Sequence, residues 1–261
     1  QLLEKFDKYF PNDIENYIEP FLGGGAVLFY VLKYKKPKKA YAFDMNKELI
    51  NVFVQVRDNP KKLINFLNIF QDGHNNSKNS KTYYYQKREQ YIGNVKNKSE
   101  KAALLIYLNK TCYNGLYRVN SLGHFNVPFG KYEKINIFDE KSLIKAHELL
   151  QSVTFDTVDF LKIKFPNNCT IYFDPPYYSE YNGFTNYNKL EFTRFDQLQL
   201  KDLFSKLDQY GHKLFLSNSK TNFIKSEYSE FKQHDIETRR MINCNGSART
   251  KLKELLITNF R

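Results

Sequence analysis

The chain predicts an α/β fold, a parallel sheet with helices on both faces, interrupted by a mostly helical insertion. Three observations predict it. Residues 16–50 read as one strand, glycine turn, helix and second strand; two further apolar strands, 169–174 and 212–219, are separated by a helical pattern; and the stretch between these halves has helical rather than alternating periodicity. Strand–helix–strand alternation of this kind needs crossover connections, and those place helices over a parallel sheet.

"NYIEPF" is the first short apolar strand, "LGGGA" the turn, and "VLFYVLKYKK" a helix whose charges gather at its end before Pro37 stops it. "KAYAFD" is the second strand. "CTIYFD" at 169–174 and "HKLFLSNS" at 212–219 are two more, with "FDQLQLKDLFSKLDQYG" at 195–211 helical and closed by glycine. In the middle, "KKLINFLNIF" and "EKAALLIYLNK" are helical, "DGHNNSKNSKT" at 72–82 reads as a polar mobile loop, and "TCYNGLYRVNSLGHFNVPFGKY" is a compact turn-rich block. The expected domains are therefore 1–55 with 154–261 for the core, and 56–153 for the insertion.

Composition narrows the class. The 261 residues, 41% hydrophobic, suffice for one large domain or a core with an insertion. No apolar run approaches a membrane span and no signal segment opens the chain, so no membrane association is expected. Three scattered cysteines form no CxxC pair, which suggests reduced thiols and a cytoplasmic location. The five histidines are far apart; "HEL" at 147–149 lacks the second histidine of a zinc-protease helix, so His147 reads as a surface residue and no metal is expected. Lys plus Arg is 40 against 28 acids, a net charge of +12, which suits a polyanionic partner.

Two stretches carry chemistry. "EPFLGGGA" at 19–26 puts three glycines where a strand turns into a helix, allowing close backbone approach by a ligand, and the next strand ends in Asp44, where an acid would meet ribose hydroxyls. The pattern is neither GxGxxG nor a GK[ST] loop, which disfavours NAD and ATP. Asp44 read alone is also a plausible helix N-cap, because "DMNKEL" suits capping. "DPPY" at 174–177 closes a buried strand. In isolation it is a proline-rich loop, but at the carboxyl edge of a parallel sheet Asp174 would face the ligand crevice. The prolines lock φ and leave the Pro175 carbonyl as a stiff acceptor beside the carboxylate. Two adjacent acceptors suit an –NH2 group with two donors, and Tyr177 could stack on the ring bearing it.

DPPY after a strand, with an upstream F-x-G-G-G turn, resembles the SAM-dependent amino-methyltransferases acting on DNA, and more closely the Dam-type adenine-N6 enzymes of the alpha type, in which the glycine motif precedes the insertion and DPPY. "NGLYRVNSLGHFNVPFGKY" at 114–132, "LSNS" at 216–219 and "NGSARTKLKELLITNF" at 245–260 are similar to segments of that family, so the resemblance covers most of the chain. It implies a Rossmann-like SAM-methyltransferase sheet carrying an inserted target-recognition domain. It also implies S-adenosylmethionine as cofactor and methyl transfer to adenine N6 in duplex DNA, with GATC as target and the base flipped out. By resemblance, Glu19, Pro20, Phe21, Gly23, Gly25, Asp44, Asp159, Phe160 and Asp174 would hold the cofactor, and Asp174, Pro175, Pro176 and Tyr177 would be catalytic. Tyr178 and Tyr181 are candidates for lining the base pocket. Arg118 matches the position that reads a guanine; Tyr113 and Asn114 would wedge into the duplex, Leu116 and Pro128 would touch a thymine methyl, Asn126 would add a further DNA contact, and Lys131 and Tyr132 occupy a position for phosphate or flanking contacts. A cognate restriction endonuclease acting separately is a further expected partner, and the enzyme is expected to be a monomer.

Two departures from the family pattern stand out. The W-x-G-G-K segment that opens the family is absent ahead of "QLLEKF", which suggests that the sequence lacks its true N-terminus, and "SARTK" carries Thr250 where the family has glycine. The competing readings are a cytosine-N4 or RNA adenine methyltransferase, and a non-catalytic DNA-binding protein that keeps the fold.

Overall fold

The computed structural model describes residues 8–180, 192–238 and 252–260. The chain divides into two compact units, residues 1–45 with 152–261, and residues 46–151.

The first unit is built on a seven-stranded sheet. Its strands are β1 (Asn16–Glu19), β2 (Lys39–Phe43), β3 (Val153–Asp156), β4 (Cys169–Phe173), β5 (Lys213–Ser219), β6 (Lys232–Thr238) and β7 (Leu252–Thr258), in the order β3-β2-β1-β4-β5-β7-β6. The first five in that order pair in parallel, whereas β7 is antiparallel to both β5 and β6. The sheet is thus mixed, not wholly parallel, because β6 and β7 form an antiparallel pair added beyond β5. Strand order reverses between β1 and β4, which lie side by side with Ile18 opposite Ile171. In a doubly wound sheet such a reversal opens a crevice at the carboxyl ends of the two strands.

Side-chain alternation supplies a core on each face. Ile18, Ile171, Phe173, Leu214 and Leu216 point to one side, where helix α7 (Arg194–Gln209) lays Leu200, Phe204 and Leu207 against them. Phe204 packs tilted against Phe173, at 5.9 Å between ring centroids. Tyr17, Tyr172 and Phe215 point to the other side, gathered around Phe10, which also meets Tyr30 of helix α1 (Ala26–Tyr34). Helices therefore cover both faces. Helix α7 opens on a capping box, Thr193 and Asp196 bonding each other's backbone amides. A short helix, α8 (Asn222–Glu227), follows β5.

The second unit is helical: α2 (Lys47–Asp58), α3 (Pro60–Asn75), α4 (Ser80–Ile92), α5 (Lys98–Thr111) and α6 (Glu140–Leu150). Its central helix is α5, which packs on α2, α3 and α4, so the run Ala102–Leu108 is apolar almost all round. Asn46, Asn79, Asn97 and Asp139 cap α2, α4, α5 and α6 by accepting backbone amides of the first turn.

Three expectations need correction. Residues 72–82 are not one loop: Asp72 to Asn75 finish α3, and Ser80 to Thr82 begin α4. Their polar composition masks a helix end and a helix start, held because His74 is buried between the Tyr107 hydroxyl and the Tyr132 carbonyl, each 2.9 Å away. The boundary between units falls at residues 45 and 46 rather than after 55, since α2 packs on α5 and α6. His147 is half-buried, its Nδ1 lying 2.7 Å from the Arg57 carbonyl at the end of α2, so it ties two helices together. No helix among the described residues is long and apolar enough to cross a membrane.

The α7 face makes a stability prediction. Phe204 is fully buried against Phe173, Tyr228 and Phe231. Phe204→Ala should lower the unfolding free energy by about 3–5 kcal/mol, read from urea denaturation; a decrease below about 1 kcal/mol would show that this face does not carry the core.

Candidate functional site

In the first unit the site is assembled at the β1/β4 reversal. The glycine turn after β1 is shaped by its own backbone bonds. Leu22 N–H donates to the Phe43 carbonyl and Gly25 N–H to the Leu22 carbonyl, both at 2.8 Å. Gly23 and Gly25 have φ of +49° and +68°, a region that side chains rarely adopt. Gly23 N–H donates to Asp44 Oδ2 at 3.0 Å, so the acid ending β2 clasps the turn. The capping alternative for Asp44 is thereby resolved: Asn46 caps α2, accepting from Glu48 and Leu49 amides at 3.1 and 3.2 Å. A Cβ placed at Gly23 or Gly24 would meet nothing within 4 Å, so the turn faces open space.

Beside it stands a cluster of three aromatic rings. Phe21 lies 5.2 Å from Phe160 and 5.6 Å from Phe192, and Phe160 lies 5.7 Å from Phe192. Phe160 is buried and contributes to the core, while Asp159 caps the short 3-10 turn it begins, accepting from the Leu161 amide at 2.9 Å.

Behind the strand ends lies a buried hydrogen-bonded pair. Glu19 is 2% exposed and accepts a hydrogen bond from Tyr17 Oη at 2.6 Å. Residues two apart in a strand share a face, which brings these side chains together. Burial pushes the Glu19 carboxyl up to about 8; the Tyr17 hydrogen bond opposes that shift, and the charge of Asp174 reinforces it. Burial likewise holds the Tyr17 and Tyr172 phenols well above their ordinary value, with Asp174 adding to both. Tyr172 Oη is 2.8 Å from Ser217 Oγ.

Asp174 leaves the end of β4 exposed, whereas Pro175 behind it is buried. The DPPY segment is braced from two elements. Gln197 of α7 donates to the Pro176 carbonyl at 2.9 Å and accepts from Asn218 of β5 at 3.0 Å. Asn218 in turn accepts from the Tyr178 amide at 3.0 Å, and Ser219 Oγ donates to the Tyr178 carbonyl. Gln197 and Asn218 are both buried, so this network is sealed from water. Among the described residues none donates to the Pro175 carbonyl, the neighbour of the one Gln197 takes. Tyr177 is half-buried, with its hydroxyl 3.4 Å from Glu254 of β7. Tyr178 packs on Phe223, centroids 4.5 Å apart, which makes it part of the packing against the core. Tyr181, residues 1–6 and Thr250 lie outside the described residues.

The first unit therefore brings together Glu19, Pro20, Phe21, Gly23, Gly25 and Asp44 at one strand end. Asp159 with Phe160 flanks them, and Asp174 to Tyr177 stands at the neighbouring strand end. Sequence reasoning missed Tyr17, Phe192, Gln197 and Glu254. Tyr17 could have been found from its i, i+2 relation to Glu19; the others are joined to the site only by tertiary contacts.

The second unit carries a separate surface, an irregular hairpin after α5. Cys112 bridges Phe129 and Val119 bridges Phe125 in antiparallel fashion. Tyr113 N–H donates to the Pro128 carbonyl at 2.8 Å, and a 3-10 turn over Tyr113–Gly115 places Asn114 in the left-handed region at φ 55°. The base is anchored by buried Phe125 and Val127, the latter's carbonyl accepting from Tyr84 Oη at 2.8 Å. Tyr113, Asn114, Leu116, Arg118, Pro128, Lys131 and Tyr132 are all exposed. Arg118 is held by Asn126: its Nε donates to Asn126 Oδ1 at 2.8 Å and its Nη2 to the Asn126 carbonyl at 3.2 Å. These bonds leave Nη1 and one Nη2 hydrogen of the exposed guanidinium uncommitted.

A doubly wound sheet with a glycine turn and acids at its reversal defines an α/β protein that takes a ligand at the topological switch point. Comparison with known proteins identifies which kind. The D12 class N6 adenine-specific DNA methyltransferase family matches residues 1–242. The type II methyltransferase M.MjaIII of Methanocaldococcus jannaschii is 38% identical over 100% of this chain and 95% of its own length. M1.LlaDCHI of Lactococcus lactis subsp. cremoris, also a type II methyltransferase, is 37% identical over 100% of this chain and 92% of its own length. The DNA adenine methylase of Haemophilus influenzae is 34% identical over 98% and 88% respectively. The chain belongs to the D12 class of N6 adenine-specific DNA methyltransferases. It is thus an adenine-specific DNA methyltransferase, with a methyl donor and DNA as its reactants.

Buried Glu19 makes a pH prediction. Its folded value of about 8 lies above the ordinary 4.5, so the folded state retains a proton that the unfolded chain releases. The stability it contributes is whole below about pH 4.5 and is lost as pH rises towards 8. Wild-type unfolding free energy should fall across that window relative to Glu19→Gln, by on the order of a few kcal/mol. Parallel curves for the two proteins in urea titrations from pH 4 to 9 would refute the assignment.

Proposed function

We propose that this chain transfers a methyl group from S-adenosylmethionine to adenine N6 in duplex DNA, at GATC, with the target base turned out of the helix. The observation that carries the proposal is Asp174, exposed at the end of β4 beside the glycine turn, with a Pro175 carbonyl that no described residue bonds.

The turn fits the cofactor on a geometric ground: Gly23 needs its positive φ, and the space a Cβ would enter is open. Glu19, Pro20, Phe21, Gly23, Gly25, Asp44, Asp159, Phe160 and Asp174 would hold it. When bound, S-adenosylmethionine supplies a methyl group made electrophilic by a sulfonium. The protein's own task is to make N6 a nucleophile. Its lone pair is delocalised into the purine, and two acceptors that take both N6 hydrogens favour a pyramidal nitrogen. The Asp174 carboxylate and Pro175 carbonyl are such a pair, stiffened by two prolines and by the Gln197–Asn218 network. Positive charge that develops on N6 is stabilised by the carboxylate in a site walled by buried phenols and rings. Tyr177 offers a stacking face for the extruded base.

In the second unit, the outer edge of the Arg118 guanidinium suits O6 and N7 of guanine, and Asn126 holds its plane. Exposed Leu116 and Pro128 suit a thymine methyl, and Tyr113 with Asn114 suits a wedge between base pairs. The type II naming of two relatives supports a role beside a separately acting restriction endonuclease.

Plasmid DNA incubated with the protein and methyl-labelled S-adenosylmethionine, then hydrolysed to nucleosides, should carry label in N6-methyladenine and resist endonucleases blocked by adenine methylation in GATC. Label in N4-methylcytosine, or in RNA only, would overturn the reading. Asp174→Ala should lower the transfer rate by about 10²–10³-fold or more while the folded state is retained. Arg118→Lys should weaken discrimination for the guanine by about tenfold or more. Undiminished transfer by the first variant would remove Asp174 from the mechanism.

A further inference from the structure

The second unit contains a cleft that the base-reading hairpin does not account for. It encloses about 910 Å3 between the α3–α4 connection and the segment that follows the hairpin. One wall carries Lys78 and Lys81, the other Lys131 and Lys134, with Glu133 the single acid in its lining. All four lysines are exposed, and among the described residues none forms an ion pair.

The walls are a built scaffold. The Asn75 side chain makes a two-way clasp on Ile135, donating to its carbonyl at 3.0 Å and accepting its amide at 2.9 Å. Ser80 Oγ donates to the Glu133 carbonyl at 3.2 Å, and buried His74 is bonded to the Tyr132 carbonyl. Burial lowers the His74 value, so this strut is neutral and makes no ionic link. Lys131 itself sits at φ +64°, a conformation a lysine adopts only when its surroundings impose it. The thirteen-residue helix α4 begins in the cleft, capped by Asn79, and the positive end of its dipole adds to the potential of the lysines. Four exposed lysines against one acid on two pinned walls give the cleft a net positive potential that suits an anion between them.

We propose that this cleft grips the phosphodiester backbone of duplex DNA outside the base-read sequence, with Lys78 and Lys81 closing on the strand from the side opposite Lys131. The proposal rests on the DNA reading above and extends it to residues that carry no base information. Hairpin and cleft are continuous in the chain, since Lys131 follows Gly130, whose amide donates to the Thr111 carbonyl at 2.9 Å. A backbone that passes the hairpin is therefore the polyanion nearest to the lysines. Contacts of this kind set register and affinity, not sequence choice.

Lys78→Ala/Lys81→Ala tests it. Duplex binding to a GATC oligonucleotide with long flanks is measured from low to moderate salt, alongside steady-state methylation. Removing two cations that each neutralise a phosphate should make the slope of log affinity against log salt shallower by about 1.8. The KM for DNA should rise at least tenfold, with kcat and preference for the target unchanged. Lys78→Arg/Lys81→Arg should restore both, and a charge-matched control on α6, Lys141→Ala/Lys145→Ala, should move the slope by clearly less. A slope and KM unchanged in the alanine pair, while the wild type methylates normally, would overturn the cleft assignment and leave the activity standing. An equal change in the α6 control would also overturn it, as would a defect confined to duplex RNA. Failure of the wild type to methylate DNA at all would instead overturn the functional reading on which it rests.

Discussion

The parallel pairing of β1 with β4 is the constraint on which the site depends. It sets Glu19 and Asp174 at adjacent strand ends, one acid sealed beneath the surface and the other exposed. Taking a carboxyl out of water penalises its charged form, and a second acid nearby adds to the penalty. Glu19 responds by holding its proton to about pH 8, under a hydrogen bond from Tyr17. The crevice therefore opens with a neutral acid behind an exposed one. That asymmetry presents one exposed acid at the crevice without stacking two buried charges.

The exposed acid would be of little use on a mobile loop. Two prolines remove backbone freedom from the segment, and the Gln197–Asn218 pair bonds what remains to α7 and β5. Both side chains are buried amides whose polar atoms are engaged, so losing one partner would strand the other without water. The antiparallel β6–β7 addition also reaches the site, because Glu254 on β7 meets the Tyr177 hydroxyl. A strand pair that departs from the doubly wound pattern thus contributes to the wall of the crevice.

The second unit solves a different problem, presenting an irregular surface from a small helical core. Helix α5 is buried on nearly every side, and the hairpin that leaves it is pinned by Phe125, Val127 and the Tyr84 hydroxyl. With its base fixed, the hairpin can leave Tyr113, Leu116 and Tyr117 exposed without collapsing onto the helices. Asn126 restrains Arg118 in the same spirit, holding the plane of an exposed guanidinium by two hydrogen bonds.

Much of this is legible in the sequence. Strands β1, β2, β4 and β5, the glycine turn and helix α7 follow from short-range hydrophobic period and turn chemistry, which are local properties. Strands β6 and β7 escape such a reading, because "KQHDIET" and "LKELLIT" become strands by pairing with distant partners. Residues 72–82 mislead because short polar side chains signal loops until burial of His74 recruits them into a helix end. Of the candidate positions, sequence order alone determined that a glycine turn, an acid after the next strand and DPPY occur in one chain. Only the tertiary structure decided that Glu19 and Asp174 are neighbours, that Asp44 clasps the turn instead of capping a helix, and that Gln197 and Asn218 hold DPPY rigid. The physical reason is range: propensity and periodicity act over a few residues, whereas pairing, desolvation and buried hydrogen bonds join residues that the chain keeps far apart.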